Sequence, residues 1–344
     1  LIAVMVSFAR AIVIPVLFAL LFGVVLRPVE KFFTKRLRIP RVISILLTVI
    51  ILLLIIGTVL SLAVYEVTRF LDDLPALKKN ISLQFENVRL WVMNNLDINY
   101  SRQDKYIVSA TEQTMNPGKI MERTKETLTG IFTSVIVIPV LMFLVMYYRV
   151  LFLDFFMNAF GEKNRNLMTN ILMDSKEALQ KYVGGLFLEM ICVTILQTLT
   201  MYFIGVEYPL FIGLITGALN LIPYLGILIA SAIAILIGFA SGSDLTQIVY
   251  MILGFMGVQF IDNNILLPNL VSGRVSINAF FSIVGVISGG IICGIPGMFL
   301  SIPLMALIKV ILDNIDGLQN WGKLMGDHLP KTVRWRRLRF PKID

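Results

Sequence analysis

The sequence predicts an all-α integral membrane protein: a multi-span helical bundle with two Pro/Gly-broken hairpins in an inverted repeat, plus a small helical extracytoplasmic domain. Three observations carry this. The 344 residues are 57% hydrophobic and only 15% charged, too apolar for a disordered chain and strained for a soluble globular one. Several segments reach the roughly 20 apolar residues that a spanning helix needs. Residues 208–243 and 275–308 carry no charge, and each is interrupted near its middle, by Asn220-Leu221-Ile222-Pro223-Tyr224-Leu225-Gly226 and by Cys293-Gly294-Ile295-Pro296-Gly297. As one helix the first stretch would reach about 54 Å, against a hydrocarbon core of roughly 30 Å, so each must fold back inside the membrane.

Taken in order, residues 1–9 read as the remnant of one span and 11–26 as a second. This opening runs through Arg10 and Pro15 without a small-residue cleavage site, so it is not a signal peptide. Between Arg27 and Arg41 stand Arg27, Lys31, Lys35, Arg36, Arg38 and Arg41, with Glu30 as the one acid, which marks a cytoplasmic loop. The net charge of +8 therefore belongs beside the membrane and implies no nucleic-acid partner. Residues 42–65 cross outward. Residues 66–127 then hold nine basic and nine acidic residues, with helical apolar spacing over 67–95, and read as the extracytoplasmic domain. Residues 128–148 re-enter the membrane, with Pro139 tolerated as a kink, and 149–182 read as a cytoplasmic amphipathic helix.

Residues 183–204 cross outward to Gly205-Val206-Glu207-Tyr208, which has no base; neither has Ser241-Gly242-Ser243-Asp244. The 208–243 hairpin thus begins and ends outside. Residues 246–267 cross inward to a loop with Arg274, and 275–312 fold in and back to a basic cytoplasmic tail with Lys331, Arg334, Arg336, Arg337, Arg339 and Lys342. The organisation is then 1–65 N-terminal spans, 66–127 extracytoplasmic domain, 128–182 span and amphipathic helix, 183–312 core, and 313–344 tail. A helix plus an outside-entering hairpin followed by a helix plus an inside-entering hairpin is an inverted repeat, which transporters use for alternating access. Four hairpin arms that cross fully as short helices would give the same loop sides.

Asp262 is the one charge between Asp244 and Arg274, and an intramembrane carboxylate is a functional candidate by default. Gln259, Asp262 and Asn263 fall within about 100° on a helical wheel, forming one polar stripe. The broken tips, Asn220, Pro223, Tyr224 and Gly226 in one hairpin and Gly294, Pro296 and Gly297 in the other, would free backbone groups for a polar solute or an ion. Asp262 has a bland alternative, pairing with Arg274 or capping a hairpin. Glu189 reads as a partner of Lys181 or a snorkelling acid, and Lys309 as an interfacial anchor. Gly213-x3-Gly217, Gly285-x3-Gly289 and Gly290-x3-Gly294 are packing motifs. Cys192 and Cys293 lie in apolar runs and read as packing residues. No Cys/His/acid cluster has metal spacing and no nucleophile–base pair is evident, so neither an enzyme nor a cofactor is expected. Gly317 to Lys323 has phosphate-loop spacing, but Leu324 stands where a hydroxyl must bind Mg²⁺.

Three passages together resemble the autoinducer-2 exporter family: Leu219 to Gly226; Gln259-Phe260-Ile261-Asp262-Asn263-Asn264 leading to Pro268 and Gly273; and Gly289-Gly290 to Gly294, Gly297 and Ile302-Pro303-Leu304, ending at Lys309. Ala279 and Asp262 depart from the Pro and Glu of many relatives. The resemblance covers nearly the whole chain and implies a bacterial plasma-membrane permease that assembles as a homo-oligomer. The expected function is a secondary transporter exporting a small polar solute such as an autoinducer-2-like signal, coupled to H⁺ or Na⁺. The alternatives are a Na⁺/H⁺ antiporter and a non-transporting membrane scaffold.

Overall fold

The computed structural model describes residues 2–96, 136–159, 161, 164–222, 225–271 and 277–327; for 2–11, 74–96 and 225 it describes the helix path only. The described residues are helical with no strand. Four helices are long and apolar enough to cross a membrane, or up to six if each of two bent pairs is one span. Their outward faces carry large apolar side chains such as Leu54, Phe203, Leu228, Phe260 and Phe280, while Glu189, Gln197, Thr216 and Asp262 are buried. That distribution suits a bundle whose solvent is lipid.

The N-terminal region departs from expectation. Ile2–Val25 is one helix (α1) through Arg10 and Pro15, not two spans. Apolar residues continue on both sides of Arg10, and a single base within a helix does not break backbone hydrogen bonding. A short helix Arg27–Lys31 (α2) and a π-turn Phe32–Arg36 lead to α3, Arg41–Leu96. With 56 residues α3 would measure about 84 Å, so it runs unbroken past residue 65 and far beyond a hydrocarbon core of roughly 30 Å. The change of composition at 66 is therefore not a helix end. The remainder of the expected extracytoplasmic domain lies outside the described residues.

Helix α4 (136–147) meets α5 (Arg149–Ala159) at a bend of 61°, so the chain turns at Tyr148 and not at Pro139. The Arg41 guanidinium donates to the carbonyls of Met146 (3.1 Å) and Tyr147 (3.2 Å), which the bend leaves without helical partners. The expected single helix over 149–182 is therefore two, because α6 begins only at Arg165.

Helix α6, Arg165–Ile204, is the hub of the fold. It ends at Gly205 (φ 82°), whose left-handed backbone lets the N–H groups of Gly205 and Val206 cap the carbonyl of Met201. Pro209 then starts α7, Pro209–Asn220, and a turn leads to α8, Leu225–Ala240. At 12 and 16 residues these would measure about 18 and 24 Å, short of a full crossing. Pro223 and Tyr224 lie outside the described residues.

Asp244 caps α9, Leu245–Ile261, by accepting from the Gln247 N–H at 2.8 Å. At Asp262 the helix changes to π-helical geometry, which runs to Val271 and contains Pro268. Arg274 and residues 328–344, with the basic tail, lie outside the described residues. Helix α10, Ala279–Asn314, is helical on both sides of Gly294, whose φ of 64° and ψ of −150° reverse the chain. A methyl at Gly289 would meet the Gly297 carbonyl at 2.4 Å and Ser301 Oγ at 2.1 Å, and one at Gly285 would meet Met305 at 3.2 Å. Such contacts across the break require two antiparallel arms, so α10 is a hairpin. A short helix α11, Gln319–Met325, braces its base: the Asn278 N–H donates to the Met325 carbonyl at 2.9 Å.

The hairpin bases sit at opposite ends of α6. Tyr208, Phe211 and Ile237 pack around Met201 near its C-terminus, whereas Asn314 donates to Asp174 at 3.2 Å near its N-terminus. Between these ends, Ile222 at the first tip packs against Val286 and Ile302 of the second hairpin.

Candidate functional site

Two close helix approaches build the site. A methyl at Gly217 would come within 2.0 Å of Thr194 Oγ1 and 2.8 Å of the Met190 carbonyl, so α7 lies directly on α6. A methyl at Gly185 would meet the Leu270 carbonyl at 2.2 Å, so the π-helical segment also lies against α6. At the hairpin tip Gly226 nests on the Leu219 carbonyl, where a methyl would come within 1.8 Å. That contact closes the turn and fixes Asn220 at the end of α7.

The result is a buried polar triad. Asn220 Nδ2 donates to Glu189 Oε1 at 3.2 Å and to Asp262 Oδ2 at 3.3 Å. Both carboxylates are only 4% exposed. Their other oxygens, Glu189 Oε2 and Asp262 Oδ1, are buried without a hydrogen-bond partner among the described residues. Neither pairs with a cation among those residues. Lys181, the expected partner of Glu189, pairs instead with Glu177 one turn away at 3.0 Å, which leaves Glu189 on the buried face with Val193, Gln197 and Met201. Glu189, expected from the sequence to pair with Lys181 or to snorkel, instead meets Asp262 at the Asn220 amide.

The polar stripe on α9 divides. Asp262 continues the buried face of Met251, Phe255 and Val258, while Gln259 Nε2 donates to Asn263 Oδ1 at 3.0 Å on an exposed face. The second tip does not join the triad either: Gly294 and Pro296 are exposed, and Gly297 packs on Gly289 within its own hairpin. Two turns along α6 from Glu189, Gln197 is fully buried with both amide atoms unpartnered among the described residues.

Chemically, the two carboxylates offer oxygen donors from two elements, joined by the Asn220 amide, with no fixed positive charge beside them among the described residues. Oxygen-only donors suit a proton or a hard cation, and a buried anionic pair requires one or the other for neutrality. No group of three His, Cys, Asp or Glu stands together among the described residues.

At the base of the first hairpin, Tyr208 is fully buried and donates its hydroxyl to Asp73 Oδ2 at 2.6 Å, with the Arg69 guanidinium 5.4 Å from its ring centre. This ties α3 at Asp73 to the first hairpin. Burial first, then the Asp73 hydrogen bond, hold the Tyr208 hydroxyl above the ordinary tyrosine range.

Comparison with known proteins gives these features a context. Residues 1–317 match the family described as AI-2E family transporter. The chain is 23% identical over 335 residues to the AI-2 transport protein TqsA of Escherichia coli K12, covering 94% of this chain and 91% of that protein. It is 24% identical over 318 residues to YueF of Bacillus subtilis, provisionally named a transport protein, covering 90% of this chain and 85% of that one. A second Bacillus subtilis protein with the same provisional name, YrrI, is 30% identical over 141 residues, 41% of this chain and 39% of its own length.

Proposed function

The chain belongs to the AI-2E transporter family, and from that premise we propose that it is a secondary transporter moving a small polar solute with H⁺ or Na⁺ held between Glu189 and Asp262. One observation carries this: two buried carboxylates from separate elements share the Asn220 amide and each keeps an unpartnered oxygen. Intramembrane carboxylates mark ion and proton paths, and discontinuous helices place such sites between repeats. The name of TqsA makes an autoinducer-2-like signal the first solute to test.

In this reading α6 with the first hairpin and α9 with the second form an inverted repeat, supported by bases at opposite ends of α6. The basic segment from Arg27 to Arg41 faces the cytoplasm by charge, and the C-terminus lies on that side. The hairpins open alternately. When the first moves, Asn220 leaves the carboxylates and their unpaired oxygens take up or release the ion. Gly226 has a structural role at the tip, while Gln259 and Asn263 satisfy each other away from it.

A second reading, a Na⁺/H⁺ antiporter, is favoured by the pair alone. A proton and a sodium ion compete for the same oxygens, and competition at one site is what exchange requires. Proteoliposomes with an internal pH dye, under imposed Na⁺ and then H⁺ gradients, test both. Sodium-driven proton flux whose pH dependence flattens in Asp262→Asn places coupling at the triad. A pH dependence unchanged in that variant would remove Asp262 from coupling. Flux absent from the wild type would leave solute export, tested with labelled autoinducer in inverted vesicles, or scaffolding.

A further inference from the structure

We propose that a second site, at the N-terminal end of α6, holds one acyl chain of an anionic phospholipid with its headgroup on Arg27, Arg149 and Lys176. The structure has a cavity of about 690 Å³ there, between α1, α4–α5, α6 and the second arm of α10. That volume falls within the range of about 300–1,000 Å³ typical of small-molecule sites. Its walls are apolar, with Leu21, Phe156, Leu179 and Leu304 among them. Helix α1 lines it from Leu17 to Val24, about 12 Å of helix against the ~15 Å of one leaflet's hydrocarbon, and α2 adds Arg27 and Glu30 beyond a bend of 46°.

The polar groups are what select the ligand. Arg149 lies in the electrostatic fields of Arg27, Arg41 and Glu30, and Lys176 in those of Arg27, Lys31, Arg149 and Glu177. Glu30 is the one acid on the cavity wall, against three cations. The Nε atoms of Arg27 and Arg149 are buried and have no hydrogen-bond partner among the described residues. A buried guanidinium N–H left without an acceptor is costly, and a phosphate is its best-matched partner. A free polar solute would leave the apolar walls wet, a lipid without a phosphate would leave the guanidinium groups unmet, and a zwitterionic headgroup would add a cation to the three already there. A phosphate on an acyl chain satisfies both, as basic pockets between membrane helices do. The wall formed by Leu300, Pro303 and Leu307 belongs to the second hairpin, so an occupied cavity would brace one of its arms.

Spin-labelled phosphatidylglycerol, followed by electron paramagnetic resonance with the full chain in phosphatidylcholine vesicles, tests the proposal without any transport assay. A motionally restricted component should appear and be displaced by unlabelled phosphatidylglycerol. Affinity should fall about thirty-fold in Arg149→Gln/Lys176→Gln, which removes two headgroup charges, and persist in Arg149→Lys/Lys176→Arg. Leu172→Trp, which narrows the cavity and leaves every charge in place, should also weaken it. An equal restricted component from spin-labelled phosphatidylcholine would overturn the headgroup assignment, and displacement by inorganic phosphate alone would reduce the site to an anion site. A restricted component unchanged in both the charge and the cavity variants would place the lipid elsewhere and overturn the proposal. The comparison between the two lipids is read on the wild type, so it stands even if a variant fails to fold.

Discussion

Glu189 on α6 and Asp262 at the head of the π-helical segment accept hydrogen bonds from the same amide, that of Asn220, at 3.2 and 3.3 Å. Each is one half of a site that neither helix holds alone, and the first hairpin is the element that joins them. Groups that act as a unit are non-additive when removed. In the proteoliposome assay Glu189→Gln and Asp262→Asn should each slow sodium-driven proton flux by about tenfold or more. The double variant should be no slower than the slower single one. Effects that multiply would mean that the carboxylates work at separate sites.

Gly226 decides whether Asn220 stays in place. A methyl there would come within 1.8 Å of the Leu219 carbonyl and 3.1 Å of the Asn220 nitrogen, and backbone cannot yield as a flexible side chain can. Gly226→Ala should lose about 1–3 kcal/mol of stability and most of its flux. Gly257→Ala, in α9 with nothing within 4 Å, is the control and should be neutral or slightly stabilised. Thermal unfolding in detergent beside flux measures both, and equal behaviour of the two variants would dissociate the tip from the site.

The hairpins were legible in the sequence because charge-free stretches longer than a bilayer is thick, broken by Pro and Gly, have few ways to fold. Asp262 was legible as an isolated charge. Glu189 carried the same signal, an acid in an apolar run, but a lysine eight residues away offered a surface explanation. Its partners are 31 residues away in Asn220 and, through that amide, Asp262. Such separations are set by how α7 and the π-helical segment pack on α6, which local periodicity does not encode. The expected stripe of Gln259, Asp262 and Asn263 divided because the helix changes to i→i+5 bonding at Asp262, where a wheel of 100° steps stops applying. The domain boundary at residue 66 was read from charge, yet α3 continues through it, because charged residues at helical spacing propagate a helix as well as apolar ones do.

Gln197 separates a path from a packing residue. It is fully buried, and its amide has no partner among the described residues. Replacing an unsatisfied buried polar group by an apolar one of similar shape is neutral or stabilising. Gln197→Met should therefore keep or raise the melting temperature. If the column from Glu189 to Gln197 carries the ion or solute, the same variant should lose flux. A variant that gains stability and keeps full flux would assign Gln197 to packing.

The Tyr208–Asp73 hydrogen bond should be visible as an alkaline loss of stability. Burial and that bond hold the hydroxyl above the ordinary tyrosine range, so the folded protein keeps a proton that the unfolded chain releases at about pH 10. The contribution is complete below that pH and is lost as pH rises through the folded value. Tyr208→Phe should be less stable by about 1–2 kcal/mol at neutral pH, and should lack this additional alkaline loss. Melting temperatures of both proteins from pH 7 to about pH 11 measure it; curves that coincide throughout would show that the bond contributes nothing, and a constant offset would show that it does not hold the proton.

Cys293, one residue before the reversal at Gly294, reports whether the second hairpin stops inside the membrane. The first arm, 279–293, would be about 22 Å long, some 8 Å short of a hydrocarbon core of roughly 30 Å. The arms are held together by Gly285 against Met305 and by Gly289 against Gly297, so the tip cannot extend further without parting them. With Cys192→Ser in the background, a charged maleimide that does not cross membranes should label Cys293 slowly when applied from either face. Denaturing detergent should make the labelling fast, which shows that the thiol is intact. Fast labelling from the outer face alone would mean that both arms cross fully, and that the opposed hairpins are short spans.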